Sequence, residues 1–134
     1  MLISEIHFTN KTAFKISNYI VYRCNHPDGS AHRGAAIVIR AALRHYEVPP
    51  YRTDKIQATV LKIHAKPWSF NVAALYNPPR LSVRTDEYDI FLYHLGTKFI
   101  AGGDWNAKHT NWGSRLTTLK GINLLQSITN FNCT

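Results

Sequence analysis

Acidic residues are scarce in this chain, cysteines scarcer, and long apolar runs are absent. Eight Asp and Glu stand against sixteen Lys and Arg in 134 residues, a formal charge of +8. A polyanionic partner is the natural inference from that balance, with an ordinary solvated basic surface as the alternative. Cys24 and Cys133 are too few for a disulfide framework, which suits a reducing compartment. No run of about eighteen apolar residues occurs, so no membrane partner is expected. The N-terminal residues lack the basic-then-apolar layout of a secretory signal. The seven histidines include no His-Glu-x-x-His pair and no Cys/His zinc spacing, so a zinc site is not expected. There is no internal repeat, low-complexity segment or linker, and the length suits one domain rather than two. A hydrophobic content of 45% supports a packed core rather than disorder.

What is present reads as strands interrupted by two helices. Leu2–His7, Tyr19–Cys24 and Ala35–Arg40 are rich in β-branched and aromatic residues, as are Leu43–Val48, Lys55–His64 and Ser69–Asn77. Pro78-Pro79 stops the last of these and biases Asn77 to extended geometry. Tyr88, Phe91, Leu92 and Leu95 recur at helical spacing, with Gly96 as the stop. Phe99–Gly103 is a further strand, and Leu124, Leu125, Ile128 and Phe131 mark a final helix. Several consecutive strands before a helix predict a mixed, largely antiparallel sheet with helices outside.

The most informative stretch is Gly102-Gly103-Asp104-Trp105-Asn106-Ala107-Lys108-His109-Thr110-Asn111-Trp112-Gly113-Ser114-Arg115. In an extended backbone Asp104 and Asn106 share a face, while Trp105 points into the packing beneath. A carboxylate beside an amide can orient a water and hold a phosphate oxygen, which is a hydrolytic half-site. Asp-x-Asn after glycines is equally ordinary turn chemistry, because both side chains bond their own backbone. Glu5 ends an otherwise apolar strand, where a carboxylate is costly unless paired or bound to a cation. An exposed strand-end glutamate is the alternative. Tyr76 ends another apolar run, where a phenol can donate to a phosphate oxygen or simply fill a core. Asn77 reads as a loop former, and His109 and Trp112 as loop packing ahead of DNA contact.

The 102–115 stretch resembles the Gly-Asp-aromatic-Asn-Ala-Lys-His-Thr-x-Trp-Gly-Ser signature of endonuclease domains in non-LTR retrotransposons, especially jockey-like elements. These domains belong to the endonuclease/exonuclease/phosphatase superfamily. Leu2-Ile3-Ser4-Glu5-Ile6-His7-Phe8-Thr9 resembles the segment carrying that family's metal-binding glutamate. Asn25-His26-Pro27-Asp28-Gly29 with Gly34-Ala35-Ala36-Ile37-Val38-Ile39, and Ala74-Leu75-Tyr76-Asn77-Pro78-Pro79-Arg80, resemble two further blocks. Four blocks in family order make the resemblance specific over nearly the whole chain. Two departures stand out: Ile6 replaces a usual threonine, and Arg33 replaces the first glycine of a pair.

The resemblance implies a partial four-layered α/β sandwich: two mixed, mainly antiparallel sheets with outer helices, truncated at both ends. Residues 1–134 would form a single partial domain. It implies Glu5 as the metal ligand, with Asp104, Asn106 and Tyr76 as catalytic residues, and Mg²⁺ as the cofactor, Mn²⁺ being the alternative. The activity implied is phosphodiester hydrolysis that nicks target DNA for target-primed reverse transcription, and the role implies a nuclear location. DNA and the rest of a retrotransposon polyprotein are the expected partners, with no small-molecule cofactor. The family's preceding asparagine strand, later Asp and Ser-Asp-His element have no counterpart in the sequence, so a fragment of weak or no activity is expected. The competing readings are a non-catalytic basic nucleic-acid-binding remnant and a phosphatase of the same superfamily.

Overall fold

A strand with no polar alternation has to be covered on both faces. The run Gly-Ala-Ala-Ile-Val-Ile does this in β3 (Gly34–Arg40), buried throughout except at Arg40. In the computed structural model, which describes residues 1–4, 15–25 and 34–133, β3 lies between β1 (Leu2–Ser4) and β2 (Tyr19–Asn25). All pairings in this first sheet are antiparallel. Residues 5–7 of the first expected strand lie outside the described residues, as do Ile6 and Arg33.

The second sheet has the order β4-β5-β6-β7, formed by His45–Arg52, Gln57–Ala65, Trp68–Tyr76 and Phe99–Asp104. β4, β5 and β6 meander antiparallel, whereas β6 and β7 are parallel. A parallel pair needs a crossover, and α1 (Thr85–Leu95) supplies it. A short 3₁₀ turn (Thr110–Trp112) and α2 (Leu119–Asn130) follow β7, with α2 packed beside α1.

The period of two along β5 and β6 sorts their side chains between two cores. Leu61, Val72, Ala74 and Tyr76 face Ala35, Ile37 and Ile39 of the first sheet. Ala58, Val60, Ala73 and Leu75 instead meet Tyr88, Phe91, Leu92, Leu95 and Leu124 from the helices. The described residues thus stack as sheet, sheet, helices.

Two elements differ from the sequence expectation. β4 starts at His45, beyond Leu43, and runs through Pro49-Pro50 to Arg52. It is an edge strand, where proline forfeits no ladder bond, and a bulge between Val48 and Tyr51 absorbs the pair. In α2 the buried stripe is Lys120, Gly121, Leu124 and Ser127, while Phe131 lies just past the helix end. The helix rotates toward polar contacts that hydrophobic spacing could not foresee.

Candidate active site

Ligand sites in α/β sheets form beyond the carboxyl ends of parallel strands. Here those ends are Tyr76 of β6 and Asp104 of β7, which sit opposite each other in register. Gly102 and Gly103 let β7 come this close. A Cβ on Gly102 would fall 2.7 Å from Leu2 Cδ1, and one on Gly103 would enter the Leu75 carbonyl. Gly103 also holds φ +132°, which other residues rarely adopt.

The chain turns immediately after Asp104. One carboxylate oxygen accepts the Asn106 backbone N–H at 2.9 Å, and Asn106 takes φ +45°. Asn tolerates this left-handed region through such local bonds. The extended alternation therefore holds through Trp105 and stops at Asn106. Trp105 points into the core as expected, its ring centroid 6.2 Å from Tyr88 and 6.1 Å from Phe91. The Asx turn and the pairing of Asp104 with Asn106 coexist.

Asn106 is held from outside its own loop. Its amide donates 2.8 Å to the Asn77 carbonyl, while the Asn77 N–H donates 2.9 Å to the Asp104 carbonyl. A carbonyl can only accept, so the NH₂ end of Asn106 must face Asn77. Its second N–H and its amide oxygen have no bond among the described residues, nor has the second carboxylate oxygen of Asp104. Both side chains are half-buried.

Asn77 is far more than a loop former. It is fully buried, donates 3.0 Å to the Tyr88 hydroxyl, and accepts 3.2 Å from Lys120 Nζ. Burial pushes the Tyr88 phenol well up, with the Asn77 bond opposing. Lys120 also donates 2.7 Å to the Pro78 carbonyl and 3.5 Å to that of Pro79. Its ammonium pKa is lowered by burial, against the attraction of Asp104. Sequence reading missed Lys120; the available signal was a lysine four residues before Leu124 in the helical stripe.

Tyr76 is 5% exposed, and its body fills the core between the sheets. Glu5 lies outside the described residues. The strand β1 ends at Ser4. Ser4 and Cys24 both pair with Ala35, and the charge of Arg52 opposes the upward push of burial on the Cys24 thiol. Arg52 pairs with Gln57, Gln57 with Tyr76, and Tyr76 with Asp104. His109 caps the 3₁₀ turn by accepting from the Asn111 N–H, with its ring 5.7 Å from Trp112, so it packs the loop. A cavity of about 860 Å³ beside Phe99 and Ile100 lies at the other end of β7, where Phe70, Tyr93 and Phe131 line it together with Lys98 and Asn132.

Two face-to-face sheets with helices on one outer face form an α/β sandwich that carries Asp104 and Asn106 at its strand ends. The endonuclease domain of TRAS1, a telomere-specific non-LTR retrotransposon, has a similar fold. It shows a TM-score of 0.71 and 23% identity, over 87% of this chain and 53% of that one. A family model described as endonuclease-reverse transcriptase matches residues 70–134. A probable RNA-directed DNA polymerase from transposon X-element of Drosophila melanogaster is 36% identical over 97% of this chain. The RNA-directed DNA polymerase from mobile element jockey of Drosophila funebris is 32% identical over 97%. The chain belongs with the endonuclease domains of jockey-like non-LTR retrotransposon polyproteins. It spans 14% of the length of those two relatives.

Proposed function

We propose that this domain performs metal-dependent hydrolysis of a DNA phosphodiester, nicking the target strand so that the freed 3′-hydroxyl primes reverse transcription. The observation that carries the reading is the cross-braced pair of Asp104 and Asn106 at the carboxyl ends of β6 and β7. Asp104 keeps one oxygen for a water. Asn106 keeps one N–H for a phosphate oxygen, and its turn is already fixed before substrate arrives. Preorganised donors of this kind avoid reorganisation during reaction. Asp104 takes a proton from the water as the water oxygen bonds to phosphorus and the bond to the 3′-oxygen breaks; the departing 3′-oxygen takes a proton from solvent, leaving a 3′-hydroxyl and a 5′-phosphate. Tyr76 would stand behind the phosphate as a further donor.

The donor set suits a hard divalent cation, because Glu5 and the Asn106 amide oxygen are both oxygen ligands. Mg²⁺ or Mn²⁺ held by Glu5 would neutralise charge on the phosphate. Arg80, Lys108 and Arg115 are exposed on the two loops that follow β6 and β7, where they can meet the DNA backbone. Residues 1–134 act as one domain in this reading, within a polyprotein that also carries a reverse transcriptase.

The test is plasmid nicking by a chimaera in which residues 1–134 replace the matching segment of the Drosophila funebris jockey relative. Asp104→Ala should lower Mg²⁺-dependent nicking by about 10²–10³. Undiminished nicking by that variant would overturn the mechanism. A non-catalytic nucleic-acid-binding role draws support from the Asp104 oxygen already committed to a turn. It calls instead for DNA affinity that falls steeply with salt, with no nicking in the chimaera.

A further inference from the structure

A lysine is almost never fully buried without a partner. Lys120 is 6% exposed and is the only cation among the buried described residues. No carboxylate among the described residues forms a salt bridge with it. Its three donors meet three carbonyl oxygens, the Asn77 side-chain amide and the backbones of Pro78 and Pro79. A methionine of similar length would fill the space without the cost of desolvating a charge. Something other than packing explains a lysine there.

The turn it sits under supplies the reason. Prolines at 78 and 79 remove two N–H groups, and among the described residues the only backbone donor that reaches either proline carbonyl is the Leu81 N–H, 3.4 Å from that of Pro78. One ammonium can satisfy both carbonyls from a single point. The same turn presents the Asn77 carbonyl that holds Asn106. The first turn of α2 grips the other loop as well. A Cβ on Gly121 would enter the Lys108 carbonyl, and Thr118 accepts from the Lys108 N–H and donates to its carbonyl. Both loops carrying the site are thus seated on one helix end.

We propose that Lys120 is a positioning residue, whose buried ammonium locks the Asn77–Pro79 turn and through it fixes Asn106 against the substrate phosphate. This rests on the nuclease reading above, and it adds a residue that never touches DNA. Lys120→Met removes the three bonds and keeps the volume. In the chimaera it should lower kcat for nicking about ten- to a hundredfold, the scale of a small misplacement of a reacting group. KM for DNA should stay within about twofold, since the ammonium is buried.

Chemical rescue separates position from bulk. Lys120→Ala should regain most of its lost kcat with added propylammonium and none with propanol. Equal rescue by both would reduce Lys120 to a space filler and overturn the proposal. A second readout is independent of activity: in ¹⁵N-labelled 1–134 the Asn106 side-chain amide should be slow to exchange, and Lys120→Met should lose that protection. Unchanged kcat and protection in Lys120→Met, while Asp104→Ala abolishes nicking, would refute the positioning role and leave the nuclease reading intact. If Asp104→Ala leaves nicking intact, the nuclease reading fails, and the exchange experiment still decides whether Lys120 fixes Asn106. Should Lys120→Met fail to fold, the propylammonium rescue of Lys120→Ala decides between position and bulk.

Discussion

Helices α1 and α2 lie side by side on the same sheet, yet they bury different chemistry. α1 turns Tyr88, Phe91, Leu92 and Leu95 inward, a stripe that is almost pure hydrocarbon and ring. α2 turns in Lys120, Gly121, Leu124 and Ser127, with one large apolar side chain among four residues. Ile128 adds a half-buried apolar contact, and polar bonds supply the rest: Ser127 Oγ donates 2.6 Å to Asp89, and Asn123 donates 2.8 Å to the Val83 carbonyl. The helix that only covers the sheet is built from burial. The helix that also holds the two site loops is built from directed bonds and a close backbone approach. Burial is non-directional, whereas a loop must be held in one orientation, so the second job calls for hydrogen bonds.

The largest effect should come from emptying the α1 core. Phe91 is fully buried and packs on both Tyr51 and Trp105, with ring centroids 5.0 Å and 6.1 Å away. Phe91→Ala is expected to cost about 3–5 kcal/mol by urea unfolding. Ile90, which is 59% exposed on the same helix, should cost far less when truncated. Similar losses at the two positions would break the claim that α1 acts through burial.

Gly121→Ala tests the other half of the comparison. In an ordinary helix interior alanine is the better residue by about 0.8–1 kcal/mol. Here the added methyl would meet the Lys108 backbone carbonyl, which cannot swing aside like a side chain. The substitution should therefore destabilise by about 1–3 kcal/mol. It should also shift backbone resonances through residues 105–118. Stabilisation would show that α2 tolerates retreat from the loop.

Ser127→Ala is a smaller probe of the same face. It removes one bond to Asp89 at the seam between the helices. A loss of about 1 kcal/mol is expected, because Asp89 is only half-buried and water can replace the donor. A neutral result would mean that the seam is held by Leu124 and the backbone alone.

The contrast between the two helices also explains what could be read from the sequence. The Tyr88–Leu95 stripe and its Gly96 stop were legible because burial leaves a period in the sequence. The unbroken apolar run of β3 and the inward Trp105 were legible for the same reason. Asp104 and Asn106 stood out as polar residues after glycines, and the turn between them was one of two readings. Nothing local marks Asn77 as buried, since its burial depends on Tyr88 and Lys120, 11 and 43 residues away. Lys120 was visible only as a flaw in an amphipathic stripe. β4 crossed its prolines because an edge position removes the penalty, and edge status is a property of the sheet rather than of the strand. Side chains chosen for burial announce themselves; those chosen for a bond need their partner in view.

The smallest effect belongs to the start of α1, where charge supplements burial. Glu87 accepts the Arg84 backbone N–H at 2.8 Å and the Lys55 ammonium at 2.8 and 3.0 Å. The Arg84 bond first, and then Lys55, hold its carboxyl below the ordinary value of 4.5. A depressed carboxyl pKa means that the unfolded chain binds the proton more tightly. The stabilisation is therefore fully present above about pH 4.5 and is lost as pH falls through the lower folded value. Glu87→Gln keeps the size and one acceptor oxygen but cannot titrate. Above pH 5 it should be less stable by about 0.5–1 kcal/mol, the scale of a cap bond and a partly exposed ion pair. Urea unfolding at pH 3, 5 and 7 should show the two proteins converging in acid. Parallel losses across that range would mean that Glu87 contributes through shape and not through charge, leaving α1 a helix anchored by burial alone.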